Sequence, residues 1–406
     1  MSKSLRSGEF DPTFGQGGHV DMSVQMPAAM LLPDQKIVLA GTLPSAVGLM
    51  VYRLMPNGRP DPSFGETGVE VRFPHDFFGS FRPFKLMRQS SGKFVVAGTL
   101  DITDTVSRGL VARLHPDGRL DETFGNGGVT LVEVPEGPGN RIRGAMMLPD
   151  DKIVMVVHCV MGLDNFIGVF VRLAPDGTFD YTFGEGGFAR TIARGVNVLH
   201  ASLLPDGKIL LAGGGASPAP TKMLVARFLS NGQADVSFGA DGYAYLEYSE
   251  TFPDTSAWQV QGVVPQADGK SMLMGNCRDP GFKSLSWYSR LLPDGSIDTS
   301  FNGGELLFSQ AGDVQWSGLA LAVTPDGKGV ATGATLGVSK ALFERIGPNG
   351  EPDPSFGDGG IVLAELPTPN ALWTPYQLLV QSDSELLIVA FTLLHSSPTR
   401  LSRMLL

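Results

Sequence analysis

The stretch GRLDETFGNGG, Gly118 to Gly128, carries neither a helical nor a strand period, yet it sets an Asp, a Phe and four glycines between two apolar runs. Its recurrence decides the architecture, because a fixed period outranks any single motif. Equivalent stretches surround Phe14 (FDPTFGQGG), Phe64 (PDPSFGETG), Phe183 (FDYTFGEGG), Phe238 (ADVSFGADG), Phe301 (IDTSFNGGE) and Phe356 (PDPSFGDGG). The period is roughly 57 residues, the size of a four-stranded unit with loops.

Each unit also contains an apolar run, a tight turn of the Asp-Gly type and a second apolar run, as in ASLLPDGKILLAGG (201–214), which is a β-hairpin signature. A third run ends in an Arg-hydrophobic pair, as in VARLHPDG (111–118), and the Asp-x-x-Phe-Gly corner leads to a short fourth strand. Four short strands in each of seven units predict an all-β fold, a seven-bladed β-propeller, since radial repetition leaves only short, protected strand edges. The chain starts with a spare fourth strand, GGHVDM (17–22), and stops at a third strand, SRMLL (402–406). The ring is therefore expected to close by the N-terminal strand pairing into the C-terminal blade, as a single domain over residues 1–406.

The pattern Leu-x-Pro-Asp-Gly-x-x-Asp-x-x-Phe-Gly-x-x-Gly resembles the bacterial delta-60 repeat family of β-propeller domains, essentially over the whole chain. Two units depart from it, at the turn QSDSE (381–385) and at the corner FNGGE (301–305). The resemblance implies the fold and carries no common catalytic residue.

The formal net charge of −10 excludes an extended nucleic-acid or anionic-membrane surface, which needs clustered Lys and Arg. The N-terminus lacks an apolar leader segment and no run is long enough to span a bilayer, so the expectation is a cytoplasmic protein, with export by a route without a cleaved leader as the alternative. Cys159 and Cys277 occupy equivalent positions in non-neighbouring repeats, out of disulfide reach, and read as buried free thiols.

Asp11, Asp61, Asp121, Asp180, Asp235, Asp298 and Asp353 recur with the corner, as do Arg53, Arg113, Arg172, Arg227, Arg290 and Arg345 on the third strand. Residues repeated in every unit read as scaffold. The Asp forms an Asx-type turn, the Phe fills the gap between blades, the Gly takes positive φ, and the Arg forms a structural ion pair or contacts a turn carbonyl. A calcium loop is the rival, but it needs several oxygens at alternate positions where each corner offers one recurrent carboxylate.

Function is sought where equivalent positions differ. Twelve residues before each hairpin lysine or its equivalent stand Val24, Phe81, Asn140, Val196, Trp258, Trp316 and Trp373, and the next position holds Gln25, Arg82, Arg141, Asn197, Gln259, Ser317 and Thr374. An aromatic ring beside a polar ring at one channel mouth suits a binding pocket, the alternative being that the aromatics plug the entrance. Arg82 with Lys85, Arg141 with Arg143, and His200 concentrate basic groups in neighbouring units, and paired guanidinium forks suit a carboxylate, phosphate or sulfate. Asp76, Asp101 and Glu136 are the carboxylates available to neutralise them. The loop FPHDFFGSFRPF (73–84), with Phe73, Phe77, Phe78, Phe81 and Phe84, reads half as inter-blade core and half as a lid or partner patch.

Zinc-protease, phosphate-loop, Cys-x-x-Cys and nucleophile-elbow signatures are missing, and the six histidines are scattered. No metal or cofactor is expected. The reading is a non-enzymatic binding propeller that uses Phe81, Arg82, Arg141, Arg143, Asn197, Trp258, Gln259, Trp316, Trp373 and Tyr376 for a polar or anionic small molecule, a glycan or a protein segment. The alternative is an enzyme of hydrolase, lactonase or lyase type at the same mouth.

Overall fold

The computed structural model describes residues 6–43, 47–74, 78–103, 105–136, 141–162, 165–191, 196–215, 223–246, 256–281, 283–309, 311–312, 314–335, 340–365, 373–392 and 399–406. The fold is an all-β, seven-bladed propeller of four-stranded antiparallel sheets. Blades one to six begin at Gln25–Leu31, Ser80–Arg88, Arg141–Met147, Val196–Leu203, Ser256–Pro265 and Trp316–Val323, and run through their four strands in sequence order. Blade seven takes three strands from the C-terminus, beginning at Trp373–Ser382, and its outer strand from His19–Met22.

That closure follows from local chemistry. His19–Met22 pairs antiparallel with Thr399–Leu405, placing His19 opposite Ser402 and Asp21 opposite Arg400. His19 Nδ1 lies 2.8 Å from Ser402 Oγ, and Asp21 accepts both arms of the Arg400 fork at 2.6 Å. Arg403 Nε reaches Asp11 at 2.8 Å. Arg403 is thus the seventh member of the arginine series, and its aspartate comes from the other end of the chain.

By packing, the chain divides into two compact units, residues 24–210 with 227–235, and residues 1–23, 211–226 and 236–406. In the first, buried Phe64, Phe73, Phe81 and Leu86 form a core with residues of blades one and two, while Phe124, Ile142, Val157 and Cys159 do so for blades two and three. In the second, Tyr288, Trp316 and Leu342 join blades five and six, and Phe343, Phe356 and Met404 join six and seven. Both cysteines are buried free thiols, and burial pushes each up to about 12.

The corner that opened the sequence is a clasp between blades. Asp121 Oδ1 accepts the N–H (3.2 Å) and hydroxyl (2.6 Å) of Thr123, while Oδ2 takes Arg113 Nε at 2.7 Å and Lys93 Nζ at 2.8 Å. The Arg113 guanidinium lies 4.8 Å above the Phe124 ring and donates through Nη1 to Pro175 O of the next blade at 2.7 Å. Gly125 N–H then reaches Asp176 O at 2.8 Å.

The pattern repeats. Arg–Asp distances are 2.7–2.9 Å in blades one to six, and the hairpin lysines Lys36, Lys93, Lys152, Lys208, Lys270 and Lys328 reach the same carboxylates at 2.8–3.4 Å. Each carboxylate already holds two cations, so a calcium ion would have to displace a guanidinium and an ammonium group. In blade seven Glu385 stands at the lysine position, 3.6 Å from Arg403 Nη1.

Candidate functional site

The first strand of a blade does not run straight. Register shifts fall between Pro83 and Lys85, Ile142 and Gly144, Val260 and Gly262, Gly318 and Ala320, and Pro375 and Gln377. Each leaves one extra residue, namely Phe84, Arg143, Gln261, Leu319 and Tyr376, nine positions before the hairpin lysine or its equivalent. A β-bulge bends the strand and re-aims the side chain at the extra position. Opposite three of these bulges stand Gly98, Gly275 and Gly333, whose Cα partners are Pro83, Val260 and Gly318. A Cβ there would strike the first-strand backbone, so the glycine is required by close approach.

In the unit that contains blades two and three, these bulges gather the basic residues. The Cα of Arg82 pairs with that of Thr99, and Thr99 Oγ1 accepts the N–H of Ile142 at 3.2 Å, which ties the strand between Arg141 and Arg143 to blade two. Arg141 pairs in turn with His158 on the second strand of blade three.

Among the described residues, counter-charge is scarce at this place. Arg82 Nε is held 2.5 Å from Asp101, which also accepts the Ser107 hydroxyl at 2.9 Å. Glu136 is taken by Arg190. Asp76 lies outside the described residues. The Nε of Arg143 is buried and has no hydrogen-bond partner among the described residues. Burial, then the charges of Arg141 and Arg82, lower the pKa of Arg143. Burial, then Arg143 and Arg141, bring His158 down to about 4, which keeps its imidazole neutral at physiological pH. Lys85 keeps solvent contact within an enclosed setting that lowers its pKa, and burial with the Lys85 charge brings His200 down to about 4.

The aromatic candidates take a different place. Phe81 is 0 % exposed and packs edge-on against Phe73, with ring centroids 5.3 Å apart, and its carbonyl accepts the Thr42 hydroxyl at 3.0 Å. Trp316 is 2 % exposed and donates Nε1–H to Ser309 Oγ at 2.9 Å. Trp258, 8 % exposed, lies 6.4 Å from the Trp287 ring. None of the three offers a free ring face. Phe81 and Trp316 belong to the cores between adjacent blades rather than to a ligand surface.

Gln259 is half-buried and accepts from Gln261 Nε2 at 2.9 Å. Tyr376 is half-buried at its bulge, and burial raises its hydroxyl pKa. The backbones of Asn197 and Trp373 lie in the first strands of blades four and seven, while their side chains fall outside the described residues. Of the Phe-rich loop, Phe73 and Phe81 are core, Phe78 and Phe84 are exposed, and Phe77 is outside the described residues. Among the described residues no three His, Cys, Asp or Glu side chains stand close enough to hold a metal ion.

The bulge was the missed signal. Proline within a strand is confined to edges and bulges, and Pro83 and Pro375, on first strands at the edge of their sheets, sit directly before two of the extra residues.

A family model described as a domain of unknown function (DUF5122) beta-propeller matches residues 32–64, 89–124 and 204–238. No curated protein sequence matches the chain. Among solved structures the chain is similar to the polysaccharide lyase Uly1, at 10 % identity over 100 % of this chain and 94 % of that one, with a TM-score of 0.57. It is also similar to Drosophila Plexin A in complex with Semaphorin 1b, at 10 % identity over 98 % and 88 % of the two chains, with a TM-score of 0.48. At such identities the likeness concerns the fold alone. No helix of the described residues is long and apolar enough to cross a membrane. The chain is thus a β-propeller repeat protein, similar in sequence over three of its seven corner regions to that family model.

Proposed function

We propose that this protein is a non-enzymatic binding propeller whose ligand is a small dianion, or a doubly anionic group on a larger polar ligand such as a glycan, an organic acid or a peptide. Arg141 and Arg143 are the primary contacts and Arg82 flanks them. The observation that supports this reading is the buried Nε of Arg143, which has no hydrogen-bond partner among the described residues and feels the charges of Arg141 and Arg82, while Asp101 faces Arg82. A buried charge without a partner is costly, and in an acidic chain a convergence of cations is retained for an anion. The charges suggest the class: among the described residues Arg82 is offset by Asp101, which leaves Arg141 and Arg143 for two negative charges.

Isothermal titration with sodium sulfate and sodium acetate at equal ionic strength tests the reading. Saturable sulfate binding with acetate at least tenfold weaker supports it, and equal or undetectable binding of both contradicts it. Turnover of an ester, lactone or uronate substrate, lost with the arginines, would replace it by the enzyme reading.

A further inference from the structure

A cleft lies on the rim of blade two, and its chemistry is opposite to that of the arginine cluster. It has a volume of about 770 Å³ and runs along Val129–Val132, the outer strand of the blade. Leu100 and Val129 form its buried floor, Phe78 and Ile102 line one wall, and Phe179 and Tyr181 line another. None of its lining residues is charged.

The repeat provides an internal control. The positions equivalent to Tyr181 hold proline, glutamate, valine or threonine in the other six corners, and only here do two aromatic rings flank the corner Asp. Those rings stack at 6.2 Å, which leaves Tyr181 71 % exposed, and Phe78 is 74 % exposed. Of the large apolar side chains exposed among the described residues, Phe78, Ile102 and Tyr181 all border this one cleft.

The backbone identifies the occupant. Gly128 O accepts from Arg113 N at 3.1 Å, and the strand then pairs Val129, Thr130, Leu131 and Val132 with Ala112, Val111, Leu110 and Gly109. Antiparallel alternation therefore turns the main-chain groups of Val129 and Leu131 outward. Those of Val129 are used by Asn126, at 2.8 and 3.4 Å. The N–H and C=O of Leu131 remain, and no other described segment bonds to them.

We infer that this cleft receives an extended, uncharged peptide segment of a partner protein. The segment adds to the Val129–Val132 edge through Leu131 and inserts apolar side chains beside Phe78 and Tyr181. Main-chain pairing supplies alignment and the aromatic walls supply selectivity, as in strand addition generally. A charged segment would lose hydration in the cleft without gaining a partner.

The probe is the peptide acetyl-Thr-Val-Phe-Val-Thr-amide carrying a C-terminal fluorophore, followed by anisotropy with the full chain. Two further peptides are N-methylated on alternate residues, one in each phase. The expected result is saturable binding, at least tenfold weaker for Phe78→Ser and for Tyr181→Ser, with one methylation phase tolerated and the other not. Both side chains are largely exposed, so the variants fold, which the unchanged melting transition would verify. Binding unaffected by either variant, equal binding of both methylated peptides, or no saturation up to roughly 1 mM, the limit of weak association, overturns the inference. Self-association of the wild type that disappears in Phe78→Ser would also overturn it, by making a second copy the occupant.

Discussion

Gly177, in the turn after the third strand of blade three, lies against the face of Phe124 in the corner of blade two: a Cβ on the glycine would stand 2.7 Å from the ring. The residue is also at φ +89°, so two costs coincide at one position. Gly207 has φ +82° with nothing within 4 Å of a Cβ, so it isolates the backbone cost. Urea denaturation should show Gly207→Ala destabilised by about 1 kcal/mol and Gly177→Ala by about 2–4 kcal/mol. Equal losses would mean that the Phe124 contact yields without cost.

The corner carboxylate should be as important as the ring. Asp121→Asn leaves Arg113 and Lys93 facing a neutral group in a buried setting, for which a loss of about 3–5 kcal/mol is expected. A loss below about 1 kcal/mol in the same urea measurement would make the clasp a bystander to stability.

Acid should unfold the protein in two stages. Burial holds His158 and His200 at about 4, below the ordinary imidazole value, so the unfolded chain binds more protons and stability declines as pH falls from about 6.5 to 4. Burial opposes ionisation of Asp121, but hydrogen bonds from Lys93, Thr123 and Arg113 outweigh it and hold the carboxyl far below its usual value. Asp180 is held at about 2, chiefly by the Thr182 hydroxyl. The contribution of these aspartates is complete above about pH 4 and is lost as pH falls through the depressed values. Urea midpoints measured from pH 7 to pH 2 should fall along both segments, and a flat profile above pH 4 would remove the histidine part.

A bound dianion should be visible at His158. Burial is the larger cause of its lowered pKa, and the charges of Arg143 and Arg141 add to it. Neutralising those arginines with sulfate should therefore raise the His158 pKa above about 4, read by NMR titration with and without saturating sulfate. An unchanged value would place any bound sulfate elsewhere.

The fold was legible because its rule is covalent and periodic. The corner Asp and Phe recur in all seven units, and the spare N-terminal strand announced its pairing with Thr399–Leu405. The partners of the corner Asp were only half legible: the recurring arginine was read as a structural ion pair or turn contact without its partner named, and the hairpin lysine, which reaches the same carboxylate, was not read at all. At the site, the concentration of basic residues in blades two and three was readable from the sequence, but which of Asp76, Asp101 and Glu136 faces them was not. The burial of Phe81, Trp258 and Trp316 was not, because counting back from a lysine treats the strand as straight, and the bulge changes which side of the strand each later residue faces.

If Arg143 is held for a ligand, as proposed, the free protein bears a cost for it. The most direct measurement is urea denaturation of the wild type and Arg143→Met across a sulfate series at constant ionic strength. The variant also subtracts the general stabilisation that sulfate gives to any protein. Arg143→Met should be the more stable by about 1 kcal/mol without sulfate, and only the wild type should gain further as sulfate is added. That gain should be about 2.7 kcal/mol at a hundredfold excess over the dissociation constant. A variant less stable than the wild type, with parallel sulfate responses in the two, would show that Arg143 serves the fold and would contradict the claim.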